Sequence, residues 1–272
     1  MTNSSAQELF SSLPREEGIN SDYSYKYQGF WHRPSGLQGL IDCQQHFQAR
    51  KNDIFLVTSP KSGTAWLKTI LYALINRETC SPQDHLHPLL KISPHELVPF
   101  LEVLKPSDYE SVSNSSDKSI TRIFGSHIPT VSLPKSIMER GSSHAGPIWD
   151  HILGYWKESL ERPHKVLFMR YEEMTDEPQL QLRRLAHFIG KPFSQEEDNS
   201  GLLDQIIELC SFVSMSKLEV NKTGYLMGKV RNDTFFRSGV VGDWRNHLTA
   251  EMASELDRIT EEKFNGSGLS MT

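Results

Sequence analysis

The apolar positions change period several times along the chain. After Pro34-Ser35-Gly36, Leu37, Leu40, Ile41 and Phe47 lie on one helical face. Asp53–Thr58 (DIFLVT) is a short, almost continuous apolar run, which predicts a buried strand. A polar loop follows. The spacing then turns helical again, with Leu67, Ile70, Leu71 and Leu74 at i, i+3, i+4 and i+7. Pro94-His95-Glu96 opens a short apolar helix expected to run to about Leu104. Ile120–Phe124 and Val166–Met169 (VLFM) are two further strand candidates. Ile148, Ile152, Trp156 and Leu160 stripe a helix over 147–161. Further helices are expected over 177–189, where Gly190 and Pro192 stop the pattern, over 201–210 and over 250–264.

Strands alternating with helices predict an α/β domain with a mostly parallel sheet and helices on both faces. The first 20 residues are polar and read as a loose arm. Residues 21–272 read as one domain, opening on the aromatic patch Tyr23, Tyr25, Tyr27, Phe30 and Trp31. Residues 78–90, 106–119 and 220–235 are polar and read as loops.

Composition narrows the function classes. Twenty-nine basic residues against 34 acidic ones leave a net charge of −5 over 272 residues. That balance argues against a nucleic-acid binder and leaves room for a local anion site. No apolar stretch reaches the length of a membrane span, and the N-terminus lacks a secretory pattern. Three scattered cysteines, Cys43, Cys80 and Cys210, fit a reducing compartment, so the expected location is the cytoplasm. The scattered histidines lack metal-ligand spacing, and no metal is expected.

The strongest local feature is Ser59-Pro60-Lys61-Ser62-Gly63-Thr64-Ala65-Trp66, which follows a strand and opens a helix. Unpaired N–H groups at a helix start, a glycine permitting close approach, two hydroxyls and a lysine together suit a phosphate or sulfate. The plain alternative is a strand-turn-helix junction with hydroxyl caps. The loop is not the nucleotide-triphosphate pattern GxxxxGK[ST]: it holds one glycine, and its lysine comes before that glycine. A magnesium-dependent kinase is therefore disfavoured.

Pro60–Thr64 with Trp66 resembles the 5′-phosphosulfate loop of the cytosolic sulfotransferases. Arg237-Ser238-Gly239-Val240-Val241-Gly242-Asp243-Trp244 resembles their late R-K-G-x-x-G-D-W motif. Phe124-Gly125-Ser126-His127-Ile128-Pro129 with Leu133-Pro134, Trp149–Trp156, Tyr171–Met174 and Cys210-Ser211-Phe212 also match, in family order. The wording is closest to the plant soluble branch, which takes flavonoids, brassinosteroids, hydroxyjasmonates and desulfoglucosinolates.

The resemblance implies transfer of a sulfuryl group from 3′-phosphoadenosine 5′-phosphosulfate (PAPS) to a small hydroxylated acceptor, without a metal. It implies that Lys61, Ser62, Gly63, Thr64 and Ala65 cradle the phosphosulfate and that His127 takes the acceptor's proton. Trp66 and Phe212 would flank the adenine and Tyr171 would reach its edge. Ser211 would lie in the nucleotide site, and Arg237, Ser238 and Gly239 at its 3′-phosphate side. The acceptor pocket is expected among Tyr23–Trp31, His95–Phe100 and 220–235. The late dimerisation pattern fits only partly at Arg245, Thr249-Ala250 and Ser254, which implies a monomer or weak homodimer.

Three departures accompany the resemblance. Ala65 stands where the family has a second threonine, a loss of roughly 1 kcal/mol of hydrogen bonding. Ser238 stands where the family has a lysine. After Ile137 the chain runs Met138-Glu139-Arg140-Gly141-Ser142-Ser143-His144-Ala145-Gly146-Pro147, straight into the next family segment. A strand–loop–helix unit on the order of 40–50 residues is missing, comparable to a βαβ module. Two ligands of the 3′-phosphate would go with it, each worth roughly 1.5–3 kcal/mol to a charged group. The expected result is donor affinity lower by about two to four powers of ten and a sheet short of one apolar strand. An impaired relative that binds without sulfating is the alternative reading.

Overall fold

A computed structural model describes residues 9–17, 23–109, 121–138, 148–226 and 230–270. The junction 139–147, including Arg140, and most of the polar stretch 106–119 lie outside these residues.

An antiparallel sheet that periodicity did not announce follows a helical turn at 9–12, near the start of the described residues. Strands β1 (Arg15–Glu17), β2 (Tyr23–Tyr27) and β3 (Phe30–His32) lie in that order. Tyr23, Tyr25 and Tyr27 alternate along β2, the period a strand requires. Gln28 and Gly29 both have positive φ, the signature of a tight two-residue hairpin joining β2 to β3. The arm expected to be loose is tied down where it is described. β1 pairs with β2, and Phe10 stacks on Tyr25 at 5.3 Å.

Helix α1 (Pro34–His46) starts on proline and buries Leu37, Leu40, Ile41 and Cys43. Gly39 leaves room for the carbonyl of Glu102, which a Cβ would strike. The short 3₁₀ turn Leu101–Val103 therefore packs directly on α1.

Strand β4 (Ile54–Val57) pairs in parallel with β5 (Ile123–Ser126), with Ile54 opposite Ile123 and Val57 opposite Ser126. Helix α2 (Thr64–Asn76) leaves the end of β4 through the Ser59–Gly63 loop. Next come α3 (Pro94–Leu97), α4 (Ile148–Glu161), α5 (Tyr171–Asp176), α6 (Pro178–Phe188), α7 (Leu202–Leu209), α8 (Phe212–Lys217) and α9 (Ala250–Phe264). One core cluster packs α1 against the β4–β5 pair through Leu40, Phe47, Phe124 and Ile128. A second joins α2, α5, α6 and α7 through Ile70, Leu74, Met174, Leu182 and Ile206.

Two expectations are corrected. The helix expected from Pro94 to Leu104 stops at Leu97, because Pro99 has no N–H to continue it. Val166–Met169 belongs to no ladder: among the described residues, β4 and β5 form a two-stranded sheet. A strand exists by virtue of a partner for its backbone groups. Here Val166–Met169 stays half-buried and irregular, with Phe168 edge-on to Trp156 and Met169 against the second core cluster.

Candidate active site

The Ser59–Gly63 loop is shaped by two left-handed residues. Gly63 sits at φ +88°, and Lys61 adopts φ +68° although it is not glycine. Gly63 also has a Tyr171 ring against it, 2.8 Å from where a Cβ would stand. Only glycine fits both demands. Tyr171 in turn meets Trp66 edge-on at 5.4 Å. Ser62 closes the turn on the Ser59 carbonyl at 2.7 Å. No side chain caps α2, so its first N–H groups face the loop without an internal partner. Thr64 is buried and its hydroxyl lies 2.7 Å from that of Thr58. Ala65 is buried as a core residue. Lys61 and Ser62 are exposed, and the Lys61 ammonium donates to the Thr234 carbonyl at 3.0 Å.

His127 follows the last residue of β5, beside this loop. Its Nδ1 lies 2.7 Å from the Thr58 carbonyl oxygen. A carbonyl only accepts, so Nδ1 carries the proton and Nε2 keeps its lone pair. Glu102 fixes the backbone there. It accepts from the His127 N–H at 2.8 Å and from the Ser126 hydroxyl at 3.0 Å. The arrangement holds the His127 ring in one orientation, its Nδ1 toward the Thr58 carbonyl, beside the Ser59–Gly63 loop.

Behind His127 lies a buried layer. Phe100 is 4.8 Å from the His127 ring and stacks on His95 at 5.2 Å. Lys68, fully buried, places its amine over the Phe100 face and 3.2 Å from His95 Nδ1. Gly125 makes this possible, since a Cβ there would strike the lysine side chain. Burial pushes Lys68 down to about 7 from the usual 10.5, partly opposed by Glu102. Burial also pushes His95 down to about 3, helped by the charge of the neighbouring Lys68. His151 on α4 falls to about 4, from burial and the nearby His127.

The late motif forms a second group. Gly239, at φ +68°, lies against the Phe212 ring. Ser211 caps α8 by accepting from the Ser214 N–H at 3.1 Å. The Arg237 guanidinium is paired with Asp243 and lies 3.0 Å from His247 Nε2. Ser238 follows it in the chain without a side-chain bond that ties it to the loop. The two groups are linked through the intervening turn Asn232–Phe235, which meets Lys61 at Thr234 and His95 at Phe235.

The expected residues of the loop, with Trp66, Tyr171 and His127, thus come together. Thr58, Lys68, Glu102 and His151 were not anticipated. For Lys68 there was a signal: a charge on the apolar stripe of a helix. For Glu102 there was none, because its contact to His127 is made across the fold.

The sulfotransferase-domain family model matches residues 51–142 and 137–268, in two pieces that meet at 137–142. Cytosolic sulfotransferase 13 of Arabidopsis thaliana is 41% identical over 305 residues, covering 96% of this chain and 92% of that protein. Since 96% of 272 residues is about 261, about 44 of those 305 positions face no residue of this chain. Cytosolic sulfotransferase 6 of the same plant is 39% identical over 306 residues, covering 96% of this chain and 93% of that protein. A crystal structure of an Arabidopsis thaliana sulphotransferase aligns with TM-score 0.75 and 34% identity, covering 97% of this chain and 94% of that one. A mouse sulfotransferase solved with PAP shares the fold, with TM-score 0.65 at 22% identity over 90% of this chain and 96% of that one. The chain belongs to the sulfotransferase family, enzymes that transfer a sulfuryl group from PAPS to small hydroxylated acceptors.

Proposed function

We propose that this chain sulfates a hydroxyl of a small flat metabolite of flavonoid, steroid or hydroxyjasmonate type, as a cytoplasmic monomer or weak homodimer. The observation that carries the reading is the His127 tautomer. Nδ1–H is spent on Thr58 O at 2.7 Å, and Nε2 is free to take a proton beside the phosphate loop. PAPS supplies the activated sulfuryl group. The open N–H groups of α2, the Gly63 approach and the Lys61 charge fit its anionic end. In this reading His127 accepts the acceptor's hydroxyl proton as the oxygen becomes nucleophilic. Lys61 stabilises charge on the departing phosphate oxygen. Trp66, Tyr171 and Phe212 offer aromatic faces for the adenine. Arg237 exchanges its Asp243 partner for the 3′-phosphate, and Ser211, Ser238 and Gly239 add hydroxyl and backbone donors there.

A second reading has support of its own. The family match breaks at 137–142, and Val166–Met169 lies outside any ladder. Both fit a chain lacking a strand–loop–helix unit that carries 3′-phosphate ligands, and such a chain would bind ligands without efficient transfer. Steady-state assay with PAPS and a flavonol panel separates the two. Turnover that His127→Ala abolishes supports the first reading. Nucleotide binding with no turnover on any acceptor supports the second.

A further inference from the structure

We propose that His95 selects the acceptor: its Nε2–H donates a hydrogen bond to an acceptor oxygen remote from the hydroxyl that reacts at His127. This rests on the sulfotransferase reading above and assigns a specificity residue within it.

The tautomer follows from Lys68. Its amine lies 3.2 Å from His95 Nδ1. In its protonated form, which predominates below about pH 7, Lys68 has three donors and no lone pair, so Nδ1 then accepts and the ring proton sits on Nε2. The imidazole is held neutral, with its pKa pushed down to about 3 by burial and neighbouring positive charge, so Nε2–H is its one donor. That donor has no hydrogen-bond partner within the protein, and the residue is only 3% exposed. A buried donor left unpaired costs roughly 1–3 kcal/mol, and folded proteins keep few of them. The surrounding rings do not relieve it. Phe100 is stacked on the imidazole, and Phe235, 4.2 Å away at 60°, offers only a weak N–H···π contact.

Position gives the orphan a use. Phe100 touches both imidazoles, 5.2 Å from His95 and 4.8 Å from His127, so their centres are at most 10 Å apart. The two rings present opposite chemistry: a lone pair at His127 Nε2 and a proton at His95 Nε2. An acceptor about two fused rings long spans them. Its reacting hydroxyl meets His127, and a second oxygen (carbonyl, ring ether, hydroxyl or carboxylate) displaces Phe235 and satisfies His95. A skeleton with hydrocarbon at that end leaves the donor orphaned, which a site built around a hydrogen bond discriminates against.

The test is fluorescence titration of the full chain with 2-naphthol and with 6-acetyl-2-naphthol, each with and without adenosine 3′,5′-bisphosphate. The chain is expected to bind the acetyl compound at least about tenfold more tightly. His95→Gln, whose amide reaches the Nε2 position as a donor, keeps most of that gap. His95→Phe removes it. Equal affinities in the parent chain, or an undiminished gap in folded His95→Phe, overturn the proposal. Equal affinities in His95→Gln overturn it too if His95→Phe fails to fold. A naphthol gap that depends on His95 in a chain that does not bind the bisphosphate counts against the sulfotransferase reading alone and supports the role of His95.

Discussion

At the residue scale, the role proposed for His127 rests on what its other nitrogen does. The Thr58 carbonyl takes the Nδ1 proton and Glu102 holds the backbone, so one tautomer and one ring position are favoured. His127→Ala is expected to lower kcat by about 10²–10⁴ while adenosine 3′,5′-bisphosphate affinity stays within about twofold. A parallel fall in nucleotide affinity would place His127 in binding instead. The buried groups behind it predict how stability varies with pH. Lys68 titrates near 7 in the folded chain and near 10.5 unfolded. The unfolded state therefore binds more protons between those values, and stability rises with pH across that window. Lys68→Met should remove the rise, read as the urea midpoint from pH 7 to 10. On the acid side His95 and His151 are pushed down to about 3 and about 4. Their contribution is complete above pH 6.5 and is lost as pH falls through 4 towards 3.

At the element scale, the β4–loop–α2 unit holds the candidate anion loop, and the elements that frame it were legible in the sequence. The apolar run at 54–57 and the helical spacing from Leu67 fixed the ends of the loop, and Gly63 marked its tightest point. What sequence could not give was pairing. Val166–Met169 has the composition of a strand, but a ladder needs a neighbour, and composition does not say whether one is there. Tyr23–Trp31 was legible as aromatic but not as a hairpin, because Gln28 stands where a turn of that kind favours asparagine or aspartate. The Glu102–His127 bond joins residues 25 apart through Gly39 and α1, a relation no local pattern encodes. Gly63→Ala tests the element. The left-handed backbone costs roughly 1–2 kcal/mol for a residue with a Cβ, and the methyl also meets Tyr171. Bisphosphate affinity should fall tenfold or more, measured by calorimetry, with the far-UV spectrum unchanged.

At the scale of the whole molecule, the chain meets the family model in two pieces. The β4–β5 pair stands as a two-stranded sheet among the described residues. On the reading that the chain lacks a strand–loop–helix unit, inserting after Ile137 the aligned residues of Cytosolic sulfotransferase 13 that face none here should raise Tm. On that reading it should also raise bisphosphate affinity by about two to four powers of ten. An unchanged Tm and affinity would show that the chain has compensated for the gap within its own fold.

The most direct measurement is calorimetric titration of the 272-residue chain with adenosine 3′,5′-bisphosphate, alongside Lys61→Ala. The account predicts one-to-one binding, weakened by about 10- to 150-fold in the variant, the equivalent of one lost charge-assisted hydrogen bond. Absence of binding by a folded chain, or affinity indifferent to Lys61, would contradict it.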